Sequence, residues 1–92
     1  MKIKIQKSDL KENLYSFLRK CEYAPFYDSY IKILSSSGYP RFHLYLKEEE
    51  KQYIFNLHLD QKRPSYGKET AHSGEYEGGV VEREKERIID LI

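Results

Sequence analysis

An α+β fold with an antiparallel sheet is predicted by three observations. Residues 9–21 carry apolar side chains at helical spacing. Residues 41–47 and 53–60 each alternate apolar and polar side chains around a short charged connection, the pattern of a hairpin with one covered face. Residues 80–92 place apolar side chains at both ends of a helical segment. The expected order is helix, three strands, helix, with a fourth strand if residues 1–6 join the sheet. Both helices would lie on one face of that sheet. The 92 residues are read as a single domain with one modest core.

Residues 1–6 alternate, with Ile3 and Ile5 on one side, as in an edge strand or an arm. Ser8 and Asp9 look like helix N-cap residues, and Glu12 stands three positions after Asp9 as in a capping box. Leu10, Leu14, Phe17, Leu18 and Cys21 then form the apolar stripe of the first helix. Cys21 is read as a buried core thiol. Pro25 ends any helix, and residues 26–34, rich in aromatic and β-branched side chains, read as one strand. Ser35 to Gly38 is a turn cluster.

In the hairpin, Phe42, Leu44 and Leu46 share the covered face with Tyr53, Phe55, Leu57 and Leu59. The opposite face holds Arg41, His43, Tyr45 and Lys47 beside Ile54, Asn56, His58 and Asp60. Residues 61–78 are polar and glycine-broken. A loop of that length in a small domain is as a rule functional or flexible. Gly78 and Gly79 introduce the last helix, whose charged middle, residues 82–87, reads as a solvated face with i,i+3 and i,i+4 pairs.

Composition narrows the function. Sixteen basic and fifteen acidic side chains give a net charge of +1. Nucleic-acid binding would therefore need a local patch, because there is no global basic excess. Nine tyrosines and no tryptophan suit half-buried strands, interfaces or base stacking. A single cysteine excludes an intrachain disulfide and any multi-cysteine metal site. The opening residues have no secretory h-region, and no apolar run is long enough to cross a bilayer. A cytoplasmic protein without membrane contact is expected.

Three groups of residues could carry chemistry. His58 and Asp60 share a strand face, with His43 on the neighbouring strand. They suit acid/base catalysis, or, with His72 and Glu75 of the following loop, a site for zinc or manganese. The blander reading makes both strand histidines ordinary half-exposed side chains. Lys62, Arg63, Tyr66 and Lys68 could hold a phosphate and stack on a base, although no Walker or dinucleotide pattern is present. His72, Ser73 and Glu75 crowd together without a nucleophile-elbow pattern, which disfavours Ser73 as a nucleophile.

The strings GYPRFHLY (38–45), FNLHLDQK (55–62) and HSGEY (72–76) resemble a group of short uncharacterised prokaryotic proteins. That resemblance implies no activity. The expected element order is similar to the double-stranded-RNA-binding fold and to HicA-type mRNA interferase toxins. Those toxins carry a catalytic histidine on the first sheet strand, where this chain has Tyr27-Asp28-Ser29.

Two functions compete on the residues alone. One is a nucleic-acid-binding module for RNA or DNA. It would use Tyr45, Asn56, Lys62, Arg63 and Tyr66, with His43, His58 and Asp60 as acid/base groups. The other is a metal-dependent hydrolase or metal-binding protein using His58, Asp60, His72 and Glu75. A third class, a protein-interaction module or homodimer, would use the tyrosine-rich sheet face.

Overall fold

The computed structural model describes residues 1–61 and 77–92. Lys2–Gln6 form β1, Leu14–Lys20 α1, Ala24–Phe26 β2, Ser29–Ile33 β3, Arg41–Glu48 β4, Gln52–Asp60 β5 and Glu77–Asp90 α2. These strands make one sheet in the order β1-β5-β4-β3-β2, and neighbouring strands run antiparallel throughout. The α+β class stands, but the sheet has five strands where three or four were expected.

The central hairpin has the register that alternation dictates. Phe42 faces Leu59, Leu44 faces Leu57, Leu46 faces Phe55, and Glu48 faces Tyr53. A slip of one residue would send one strand's apolar set to solvent, so burial strongly disfavours it. Ile3 and Ile5 extend the apolar face through β1. Leu14, Phe17 and Leu18 of α1 and Val81 and Ile88 of α2 cover that face. Each fully buried Leu, Ile or Phe stabilises the fold by roughly 1.5–3 kcal/mol.

Four local expectations are corrected. The first helix does not begin at Asp9. Residues Lys7–Asp9 form a single 3-10 turn, Leu10 is extended, and α1 is capped by Asn13, whose side chain accepts from the Ser16 amide at 2.8 Å. Leu10 still packs on the core, which is why its four-residue spacing to Leu14 mimics a continuous helix.

Residues 26–34 are not one strand. The chain reverses at Tyr27, whose φ of 55° lies in the left-handed region, and Phe26 pairs back onto Ser29. Pro25 is tolerated because β2 is a sheet edge, where one row of amides needs no partner.

The last helix begins at Glu77, before Gly78 and Gly79. Glycine disfavours a helix by about 1 kcal/mol per residue but does not forbid it.

The charged middle of α2 is not uniformly solvated. Glu84 is only 6% exposed, on the inward stripe with Val81 and Ile88. Tyr23 Oη donates to Glu84 Oε2 at 2.7 Å, and Arg87 meets both carboxylate oxygens, at 2.8 and 2.9 Å. Arg87 Nη2 also donates to the Cys21 carbonyl at 2.6 Å. These bonds tie α2 to the C-terminal end of α1. Cys21 itself is buried, as expected, and burial pushes the pKa of its thiol up to about 11.

Candidate functional site

Among the described residues neither helix covers the other sheet face, although Ser29 and Ile31 on it are buried. Strand alternation and register assign its side chains. Lys2, Lys4 and Gln6 come from β1, and Gln52, Ile54, Asn56, His58 and Asp60 from β5. Arg41, His43, Tyr45 and Lys47 come from β4, Ser29, Ile31 and Ile33 from β3, and Ala24 and Phe26 from β2. The hairpin part of this face is the one that alternation predicts. The contributions of β1, β2 and β3 depend on strand order, which alternation does not reveal.

Asp60 organises one half of the face. Its Oδ2 accepts from Arg41 Nε at 3.2 Å and from His43 Nδ1 at 3.0 Å. With Nδ1 carrying its proton toward the carboxylate, Nε2 of a neutral His43 presents its lone pair on the other side. There it meets Ser29 Oγ at 2.7 Å. Ser29 Oγ also lies 2.9 Å from the Phe26 carbonyl, so its single proton has two acceptors in reach. Ser29, His43 and Asp60 thus form a hydrogen-bonded chain running across three adjacent strands.

Aromatic packing holds this chain in place. Tyr45 stacks on the His43 ring at 4.5 Å between centroids and 20° between planes. Phe26 meets the same ring edge-on at 5.9 Å. Arg41 is held over the Phe26 ring at 4.7 Å and the Tyr39 ring at 4.4 Å. Cation–ring contacts of this kind add roughly 0.5–1 kcal/mol each at partly exposed sites. They also hold Arg41 beside Asp60.

The other half of the face is more open. Tyr45 is 45% exposed. His58 sits edge-on to Tyr45 at 5.7 Å. Asn56 is level with Tyr45 on one side and Lys2 on the other. Lys4 and Lys47 both pair with Ile54, so the lysines of β1 and β4 flank one apolar side chain.

The structure therefore brings His43, Asp60, Tyr45, Asn56 and His58 onto one surface. Lys62, Arg63, Tyr66, His72 and Glu75 lie outside the described residues, so neither the phosphate loop nor the four-ligand metal set is placed. Among the described residues no three His, Cys, Asp or Glu side chains come together as a metal site. His43 has both ring nitrogens engaged within the protein. No described helix is long and apolar enough to cross a membrane.

Ser29 is absent from the residues that the sequence singles out. It lies 14 positions from His43, at the start of a strand that composition alone extends back to residue 26, and no spacing pattern links the two. Comparison with family models, curated proteins and solved structures finds no match for this chain.

Proposed function

We propose that the open sheet face binds single-stranded nucleic acid. One observation carries the reading. Among the described residues, the strand side chains of that face include Lys2, Lys4, Arg41 and Lys47 but a single carboxylate, Asp60, which Arg41 and His43 already engage. A nearly neutral chain thus presents a locally cationic surface, although Lys47 also makes a loose 3.9 Å pair with Glu49. Tyr45 and His58 lie in its middle and offer ring surface for base stacking. Stacking on such rings is worth roughly 1–3 kcal/mol per base and tolerates any sequence. The lysines would follow the phosphates, which position a strand without reading it. Asn56, between Tyr45 and Lys2, would donate its side-chain amide to a base edge.

The test is fluorescence anisotropy with a labelled pyrimidine oligonucleotide at low salt. Binding should weaken as salt rises, and Tyr45→Ala should weaken it at every salt concentration. The absence of binding at low ionic strength, with both RNA and DNA strands, would sink the proposal.

A further inference from the structure

The geometry points to Ser29 as the nucleophile of an acyl-transfer centre, with His43 as its general base and Asp60 as the group that orients the base. The separations are 2.7 Å from Ser29 Oγ to His43 Nε2 and 3.0 Å from His43 Nδ1 to Asp60 Oδ2. The right nitrogen faces each partner. A triad is recognised by such roles and distances, whatever the order of its members along the chain. All three residues stand on strands of one sheet, so their backbones hold the alignment without a loop. Arg41 and the Tyr45 stack fix the orienting carboxylate and the ring plane.

The surroundings select the substrate class. Phe26 and Ile31 flank Ser29 on the same face, and continuing the β3–β4 register sets Tyr45 level with it. Arg41 is already engaged with Asp60, and Lys47 lies 3.9 Å from Glu49. The flanking apolar side chains suit an uncharged ester with a small apolar acyl group. Ser29 is only 3% exposed, which favours a small acyl group over a bulky one.

The Ser29 hydroxyl gives its proton to His43 Nε2 as Oγ bonds to the carbonyl carbon. The bond to the leaving alkoxide breaks as Nε2 returns that proton to it. Water then gives a proton to Nε2 as it attacks the acyl carbon, the bond from that carbon to Oγ breaks, and Nε2 returns the proton to Oγ. The products are the carboxylic acid and the alcohol. Nucleic acid has no part in these steps, so this inference and the binding proposal stand or fall separately.

The experiment treats the full chain with a small dialkyl fluorophosphate and follows its intact mass. An Oγ–P bond should form, with loss of fluoride, to give one adduct. Peptide mapping should place it on Ser29. Ser29→Ala should abolish it, while His43→Gln, checked for folding by circular dichroism, should slow it by roughly 100-fold or more. In parallel, p-nitrophenyl acetate should release p-nitrophenolate faster with wild type than with Ser29→Ala. A wild-type chain left unlabelled under conditions that fully label a serine-hydrolase control overturns the proposal. So does an adduct mapped to any other residue. Because the decisive arms use wild-type protein, misfolding of a variant cannot obscure the answer.

Discussion

Tyr23 donates its phenolic hydrogen to Glu84 at 2.7 Å, joining residues 61 positions apart in the chain. Both side chains are buried, and Arg87 completes the carboxylate's hydrogen bonding. A buried charge is tolerated only when it is paired in this way.

Removing the carboxylate should therefore cost more than removing the hydroxyl. Glu84→Ala leaves the Tyr23 hydroxyl without its partner and takes away the anion opposite Arg87. It should destabilise the fold by about 2–4 kcal/mol. Tyr23→Phe leaves the Glu84–Arg87 pair intact and should cost about 1–1.5 kcal/mol. Urea denaturation of both variants measures the difference. Equal costs would mean that the ion pair carries no weight.

Alkaline pH should weaken the protein through two buried acids. Burial raises the Cys21 thiol from 9.0 to about 11. Burial, and then the hydrogen bond to Glu84, push the Tyr23 phenol well above the ordinary tyrosine range. In both cases the fold favours the neutral form. Their stabilisation is fully present below the unfolded-state values. As pH rises the unfolded chain loses these protons first, so it is favoured. For Cys21 the decline runs from pH 9.0 to about 11, at up to about 1.4 kcal/mol per pH unit for each group. Urea midpoints should fall steadily across that window. At neutral pH, iodoacetamide should alkylate Cys21 only in denaturant.

The position of the first helix cap is open to a direct test. Asn13→Ala removes the bond to the Ser16 amide and should cost about 1 kcal/mol. Asp9→Ala should change stability by less than about 0.5 kcal/mol, because Asp9 is exposed and caps nothing in α1. Thermal melts of the two variants decide it. A greater destabilisation by Asp9→Ala would restore the longer helix.

If the open face binds nucleic acid, its lysines should set the salt dependence. Replacing Lys2 and Lys4 together by Gln should reduce the slope of log K against log salt by roughly 0.7 for each phosphate that is no longer neutralised. Affinity should fall for all sequences alike, since lysine–phosphate pairing carries no sequence information. An unchanged slope would place the strand elsewhere.

Much of the architecture is legible in the sequence because its causes are local. Alternation from Arg41 to Asp60 is enough to specify a hairpin and its buried face, since a one-residue slip would send one strand's apolar set to solvent. The α1 stripe announces its inward side, and Cys21 ends it in the core. Ser35 to Gly38 announces a turn, and Gly38 adopts a φ of 93° there. The same alternation puts His43, Tyr45, His58 and Asp60 together on the opposite face.

Only the tertiary structure decided the rest. The turn at Tyr27 looks like strand in composition, and pairing between Phe26 and Ser29 is what splits that segment in two. Glu84 looks like one charge in a solvated run until Tyr23 and Arg87 close around it. Ser29 has no local signature at all, and it meets His43 only because β3 is hydrogen-bonded beside β4. Periodicity along the chain records which face of an element is buried, because burial acts on each residue in turn. Which polar groups meet depends on strand order and helix placement, and those follow from packing between segments far apart in the chain.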